Sequence, residues 1–168
     1  GYIYGAHAPG ITDPQAAYTA AHHLLLGHGL ATQAIRAAAS TAKVGIPLNL
    51  SPVYPDDASD ADAVAAATAR DGLENRLYLD PVLRGRYPSD VLHTLGEQGI
   101  SPPIQDGDLD TIGAGVDVLG VNYYGPLVVG ASGNDVQKYP TSQATWEQIY
   151  PAGLRDMLGQ VRRGYGDV

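Results

Sequence analysis

The sequence predicts an α/β chain with parallel strands, and three observations support this class. Two short runs, Val44–Leu50 and Val116–Tyr123, are almost continuously apolar, which is typical of strands buried in a parallel sheet. Longer Ala- and Leu-rich stretches with helical spacing surround them. The order helix, strand, helix, strand, helix is typical of parallel strands joined by helices. Two strands cannot bury both faces of a sheet, so the other strands lie elsewhere or are missing.

The helices are predicted from their start signals and their apolar spacing. Thr12-Asp13-Pro14 combines a capping side chain with a proline whose missing N–H costs nothing at a helix start, so a helix should run from Gln15 to about Ala39. Gly27 and Gly29 lie inside it and are expected to allow close backbone packing. Three further helices are expected at Asp60 to about Tyr78, Ser89–Leu95 and Pro151 to about Arg163.

Three details of the strands are less regular. Pro47 lies inside the first apolar run, although a central strand needs every N–H for its hydrogen-bond ladder. The segment from Gly125 to Gln143 reads as a long irregular excursion with a short hairpin at Leu127–Val129. The terminal residues from Gly164 to Val168 run into what could be another strand.

Composition excludes several classes of protein. The 168 residues are enough for a single domain, residues 1–168, and the net charge of −8 argues against nucleic acids and anionic membranes as partners. The absence of cysteine excludes disulfides and thiolate metal sites. No apolar run reaches the ~18 residues of a membrane span, and Gly1–Tyr4 is unlike a signal peptide. We therefore expect a cytoplasmic protein.

Two clusters of potential metal ligands do not have ligand spacing. His22, His23 and His28 include no pair three or four residues apart, so packing histidines are favoured over metal ligation. Asp106, Asp108 and Asp110 resemble the start of a calcium loop. That loop needs Gly at its sixth position and Glu at its twelfth, where this chain has Thr111 and Asp117. No metal site is predicted.

Carboxylates and the residues at strand ends are the remaining candidates for catalytic or ligand-binding groups. Glu74, Glu97 and Glu147 are the only glutamates, and none follows a predicted strand, so spacing alone offers no acid/base pair. Asn122 and Tyr124 do follow a strand and share one of its faces, whereas Tyr123 points to the other. Two readings of these tyrosines are equally open: a ligand pocket, or core aromatics with tethered hydroxyls.

Six segments in this order and spacing resemble glycoside hydrolase family 1, the β-glucosidases and their relatives. The segments are Gly5–Gly10, Ala20–Ala31, Leu48–Pro55, Leu79–Pro81 with Gly85–Pro88, Val116–Tyr124 and Trp146–Leu154. The resemblance implies the central portion of a (β/α)₈ TIM barrel, with the two predicted strands as its fifth and sixth. In that family the acid/base glutamate lies in an Asn-Glu-Pro motif and the nucleophile in a Thr/Ser-Glu-Asn-Gly motif. The 168 residues contain neither.

The resemblance also implies a retaining mechanism on β-linked glycosides, without metal or cofactor. Tyr124 matches the tyrosine that hydrogen-bonds the nucleophilic carboxylate, and Asn122 matches an asparagine beside the sugar. His7 and Asn49 match positions near the pocket mouth. The chain is therefore expected to be a β-glycosidase segment that is inactive alone. The alternative is a non-catalytic barrel fragment or sugar-binding module that self-associates or assembles with a complementary chain.

Overall fold

The computed structural model describes residues 2–167, which form two compact units. The first comprises the residues up to Val44 together with Leu79–Val116, and the second comprises Gly45–Tyr78 together with the residues from Asp117 onward. Gly1 and Val168 lie outside the described residues. The elements in chain order are α1 (Pro14–Ala38), β1 (Gly45–Asn49), β2 (Val53–Pro55), α2 (Ala61–Asp71), α3 (Leu77–Arg84), α4 (Ser89–Glu97), α5 (Asp108–Ile112), β3 (Val118–Asn122), β4 (Leu127–Val129) and α6 (Ala152–Tyr165).

The long helix α1 of the first unit begins where the sequence predicts. The Asp13 carboxylate accepts a hydrogen bond from the Ala16 N–H at 3.2 Å, and Pro14 occupies the first turn. Gly29 faces the short helix α5, where a Cβ atom would lie 2.2 Å from the Thr111 carbonyl oxygen. The close-packing prediction is therefore confirmed for Gly29 but wrong for Gly27, which is exposed and has open space around it.

The second unit contains two pairs of parallel strands. In one pair, β1 and β3 align from Gly45 with Val118 to Asn49 with Asn122, which confirms the predicted parallel strands. The other pair joins β2 and β4, which lie more than 70 residues apart in the sequence. The predicted short hairpin at Leu127–Val129 is confirmed: Val129 forms an antiparallel bridge with Asp135, and the Val136 N–H donates to the Val128 carbonyl oxygen at 2.8 Å. The residues from Gly166 onward form no strand within the described part, because α6 continues to Tyr165.

Pro47 fits β1 because of the side to which it turns. The Leu50 N–H donates to the Asn122 carbonyl oxygen at 3.0 Å. Backbone N–H groups alternate between the two sides of a strand, so those of Ile46 and Leu48 also point to β3, and position 47 points away. Within residues 2–167 no strand lies on that outer side of β1. Pro47 therefore removes no hydrogen bond from the β1–β3 ladder.

A buried asparagine fixes the chain between β1 and β2. The predicted helix from Asp60 to Tyr78 is interrupted after α2 by a π-helical turn, Gly72–Arg76. The Asn75 side chain in this turn is fully buried. Its Oδ1 accepts from the Ser51 N–H at 3.1 Å, and its Nδ2 donates to the Ser51 carbonyl oxygen at 2.8 Å. At Ser51, two residues beyond Asn49, the Asn75 amide thus binds the backbone N–H and carbonyl groups that a neighbouring strand would otherwise bind.

Among residues 2–167, no helix combines the length and the hydrophobicity that a membrane crossing requires.

Candidate functional site

The ends of β1 and β3 bring two predicted site residues into contact. Asn49 and Asn122 are the last residues of the two strands and are aligned in the parallel register. The Asn122 Nδ2 donates a hydrogen bond to the Asn49 Oδ1 at 3.0 Å, and both residues are exposed. An amide group has two N–H donors and an oxygen acceptor. The pair therefore keeps one Asn122 N–H and its carbonyl oxygen available for a ligand.

The two tyrosines that follow β3 have different surroundings. The Tyr123 hydroxyl donates to the Tyr150 carbonyl oxygen at 2.6 Å, and burial raises the pKa of this phenol. Tyr124 is 50% exposed, and its hydroxyl makes no hydrogen bond within residues 2–167. Tyr123 thus matches the interpretation as a tethered packing aromatic. Tyr124 lies at the open strand end with Asn122, and its hydroxyl is available to a partner.

Trp146 extends this surface, although the sequence analysis assigned it no role of its own. Its ring meets that of Tyr124 edge-on, with 5.8 Å between the centroids, and is 70% exposed. An open, mostly apolar groove of about 340 Å³ lies next to this pair. Its lining includes Tyr123, Tyr124, Glu147, Ile149, Tyr150 and Leu154. The one usable sequence signal was that Trp146 is the single tryptophan of the chain.

The three glutamates are engaged in local contacts. Glu74 pairs with Arg70 at 2.9 Å on the π-helical turn, and Glu97 lies 3.6 Å from His93 on α4. Glu147 lies beside Trp146 and accepts a hydrogen bond from the Ser142 hydroxyl at 2.7 Å. Within the described range, none of them follows a strand end next to Asn49 or Asn122.

Of the three clustered histidines, only His22 is a buried packing residue. His22 is 1% exposed; its Nδ1 lies 3.0 Å from the Tyr87 hydroxyl and its Nε2 lies 3.0 Å from the Asp108 Oδ2. His23 is exposed and His28 is half-buried, with burial lowering the pKa of His28. In the part of the chain that the structure describes, no three His, Cys, Asp or Glu side chains are grouped to hold a metal ion.

Asp108 of the aspartate run contacts the buried His22 side chain. It is the first residue of α5, which the sequence analysis did not predict. Its Oδ2 accepts from the Gln105 N–H at 2.8 Å as well as contacting His22. The hydrogen bond from Gln105, followed by that from His22, holds the pKa of Asp108 below its usual value. The carboxylate is therefore used for local structure.

The predicted site residues are divided between the two units. Asn49, Asn122 and Tyr124 all belong to the second unit, where the strand ends gather them. His7 belongs to the first unit and is exposed in the turn before α1, where its carbonyl oxygen accepts from the Gly10 N–H at 2.9 Å. Trp146, which contacts Tyr124, also belongs to the second unit.

A sequence model of glycosyl hydrolase family 1 matches residues 1–168, the whole chain. The chain belongs to this family. Beta-glucosidase A from Acetivibrio thermocellus is 35% identical, covering 99% of this chain and 39% of the relative. Thermostable beta-glucosidase B from Thermobispora bispora is 38% identical, and the match covers 96% of this chain and 35% of the relative. The crystal structure of a psychrophilic beta-glucosidase, BglU from Micrococcus antarcticus, superposes with a TM-score of 0.91 at 35% identity, covering 100% of this chain and 41% of that one.

This family membership establishes the fold class. The chain corresponds to the central portion of a (β/α)₈ barrel, as the sequence predicts, and the described residues form no closed sheet. It spans about two fifths of the length of the relatives it matches. Asn49 and Asn122 lie at the carboxyl ends of β1 and β3, with Tyr124 two residues farther on, and barrels of this class bind ligands at the carboxyl ends of their strands.

Proposed function

We propose that these 168 residues supply the fifth and sixth strands of the sugar site in a retaining β-glycosidase of the β-glucosidase type. Such an enzyme hydrolyses the O-glycosyl bonds of β-linked glycosides. The observation that carries the proposal is the contact between Asn49 and Asn122 at adjacent strand ends, with Tyr124 two residues farther on the same face. Membership of glycosyl hydrolase family 1 supports a role for these polar residues in binding a glycoside.

Each polar group has a role that its contacts allow. Asn122 has one N–H committed to Asn49, so its second N–H and its oxygen are proposed to bind sugar hydroxyls. The Tyr124 hydroxyl is proposed to donate to the nucleophilic carboxylate, which keeps that group ionised and oriented for attack on the anomeric carbon. The exposed Trp146 and Tyr124 rings offer an apolar surface to the aglycone.

The reaction itself requires two carboxyl groups about 5–5.5 Å apart. One protonates the leaving oxygen while the other forms a covalent glycosyl–enzyme bond, which water then hydrolyses. The 168 residues contain neither glutamate motif of the family, and their own glutamates are engaged elsewhere. We therefore expect this chain to be inactive alone.

Two further parts of the proposal rest on the resemblance. His7 is proposed to lie at the mouth of the pocket. The two compact units are proposed to belong to one barrel domain, residues 1–168 being an incomplete part of it. A cytoplasmic location stays a prediction, and cell fractionation followed by immunoblotting would test it.

Hydrolysis of an aryl β-glucoside tests the proposed function. The assay compares the 168-residue chain with any longer product of its reading frame that includes both glutamate motifs. We expect turnover only from the longer product. Turnover by the 168-residue chain would contradict the proposed division of roles. So would a folded longer product that cleaves no β-glucoside or β-galactoside.

A second candidate function is a non-catalytic module that associates with a second copy or a complementary chain. The two outer edges of the β1–β3 sheet differ in this respect. Pro47 removes a donor from the outer edge of β1, whereas Leu119 and Val121 present complete backbone groups on the outer edge of β3. There an open groove of about 190 Å³ is lined partly by Leu158 and Val161 of α6. Sedimentation of the isolated chain tests this candidate: a stable monomer at all concentrations counts against it.

A further inference from the structure

The segment that presents Trp146 has little regular secondary structure to hold it. Between the end of β4 at Val129 and the start of α6 at Ala152, the described chain forms only two isolated bridges, Val129 with Asp135 and Thr141 with Gln148. Long irregular segments are mobile unless specific contacts order them. The position of the Trp146 ring therefore depends on the hydrogen bonds of this segment.

The Gln148 side chain forms hydrogen bonds both within this segment and to the loop between β3 and β4. Its Oε1 accepts from two consecutive backbone N–H groups, Lys138 at 3.1 Å and Tyr139 at 3.0 Å. Its Nε2 donates to the Pro126 carbonyl oxygen at 3.4 Å. One side chain thus links the middle of the segment and its end, two residues beyond Trp146, to the loop between β3 and β4.

The backbone of Gln148, like its side chain, is held by specific contacts. Gly125 packs directly against it, so a Cβ atom at position 125 would lie 2.6 Å from the Gln148 carbonyl oxygen. Gly125 also has a φ of +152°, which L side chains rarely adopt. On its other side Gln148 forms the bridge to Thr141. Contacts on both sides therefore hold this residue in place.

A closed tip places Trp146 next to Gln148. The Ser142 N–H donates to the Glu147 carbonyl oxygen at 3.0 Å, and the Ser142 hydroxyl donates to the Glu147 Oε2 at 2.7 Å. Tyr139, whose N–H is bound by Gln148, stacks its ring on that of Tyr150 with 4.2 Å between centroids. The tip is therefore a closed turn whose base is Gln148.

We propose that Gln148 is a positioning residue that holds the Trp146 ring against Tyr124 and thereby sets the affinity of the site for the aryl group of a β-glycoside. This inference rests on the proposed function for its ligand. Without the Gln148 amide, two backbone N–H groups lose their acceptor and the base of the tip opens. Trp146 then samples more orientations, and ordering it on binding lowers the affinity.

Trp146 reports on this directly, because it is the only tryptophan of the 168-residue chain. We expect Gln148→Ala to lower the fluorescence anisotropy of Trp146 and to increase its quenching by acrylamide. The matched control is Gln143→Ala, which removes an exposed glutamine from the same tip and should change neither. Gln148→Glu keeps the acceptor oxygens and should restore most of the anisotropy. Far-UV circular dichroism and Tm establish that each variant is folded.

Hydrogen exchange tests the same contacts in the unaltered chain. The amides of Lys138 and Tyr139 should exchange more slowly than that of the preceding residue, Gln137. Equal exchange of the three amides overturns the proposal, even if Gln148→Ala fails to fold. Unchanged anisotropy and quenching in a folded Gln148→Ala variant overturn it as well.

Binding of phenyl β-thioglucoside, which resists hydrolysis, separates this proposal from the proposed function. Trp146 fluorescence follows the titration. We expect Gln148→Ala to raise the Kd about threefold to tenfold, with no change in Gln143→Ala. Binding by the unaltered chain with the same Kd in Gln148→Ala contradicts the positioning role alone. No binding by the unaltered chain contradicts the proposed function, while the anisotropy and exchange results still decide whether Gln148 positions Trp146.

Discussion

The two units of the chain use their polar side chains in opposite ways. In the first unit, His22 is buried and both of its ring nitrogens have partners, Tyr87 and Asp108. In the second unit, Asn122 and Tyr124 are exposed at a strand end and retain hydrogen-bonding capacity. A buried group whose partners are all internal contributes to stability. A group with spare donors at an open strand end can bind a ligand.

The second unit shows the same difference within itself. Asn75 and Asn49 are both asparagines near the end of β1, but Asn75 is fully buried and Asn49 is exposed. Tyr123 and Tyr124 are adjacent, yet among residues 2–167 only the Tyr123 hydroxyl has a hydrogen-bond partner. These pairs allow the comparison to be tested with matched substitutions, in order of decreasing effect.

The largest effect is expected from His22→Ala. This change removes the contacts of both ring nitrogens, with the Tyr87 hydroxyl and with the Asp108 Oδ2, and opens a cavity, so the free energy of unfolding should fall by about 3 kcal/mol. Chemical denaturation measures it. His23→Ala is the matched control, and its effect should stay within about 0.5 kcal/mol because His23 is exposed. Equal effects at the two positions would refute the difference between them.

Asn75→Ala should lower the free energy of unfolding by about 2 kcal/mol. It removes both hydrogen bonds to the Ser51 backbone and a third, from Nδ2 to the Asp71 Oδ1 at 2.8 Å. Asn49→Ala is the control of the same type and should cost about 0.5 kcal/mol or less, since its partner Asn122 can bind water. Urea midpoints compared at equal m-values provide the measurement. A larger loss from Asn49→Ala would show that the strand end is structural.

Tyr54→Phe should cost about 1.5 kcal/mol at neutral pH, because the Tyr54 hydroxyl donates to the Asp156 carboxylate at 2.7 Å. Burial, followed by this hydrogen bond, raises the pKa of Tyr54 above its usual value near 10. Above pH 10 the unfolded chain therefore loses this proton more readily than the folded chain, and stability should decrease with rising pH. Phe at this position should make that alkaline decrease shallower. Denaturation midpoints between pH 8 and 11 test both effects, and an unchanged slope would contradict the second.

The smallest effects separate the two neighbouring tyrosines. Tyr123→Phe removes the hydrogen bond to the Tyr150 carbonyl oxygen and should cost about 1 kcal/mol. Tyr124→Phe removes a hydroxyl that has no partner within residues 2–167 and should change stability by less than about 0.5 kcal/mol. Thermal unfolding of the two variants under identical conditions provides the comparison. A reversed order would place the functional hydroxyl at Tyr123.

Local signals in the sequence predicted much of this fold. Asp13-Pro14 marked the start of α1, and the apolar runs around Ile46 and Val121 marked the parallel strands. Contacts between distant residues were not predictable in this way. The pairing of β4 with β2 and the burial of Asn75 against Ser51 depend on how the chain returns to β1. The adjacent residues His22 and His23 differ only through what packs on α1.

The site was predictable to the same extent. Period-two alternation placed Asn122 and Tyr124 on one face, and the structure shows both exposed at the strand end. The contact of Tyr124 with Trp146 was not foreseen, because it depends on how a long irregular segment closes through Gln148. The roles of the site residues in catalysis stay predictions.

The central claim is that this chain supplies one part of a β-glycosidase site. The most direct measurement replaces the matching segment of the Thermobispora bispora relative, which is 38% identical, with residues 1–168. We expect the remainder of that protein to supply the two carboxylates. We predict that the folded chimera hydrolyses an aryl β-glucoside, and that Tyr124→Phe lowers its kcat about 10²-fold at unchanged Tm. A folded chimera that shows no hydrolysis, or one whose kcat is the same with Phe at position 124, would contradict the account.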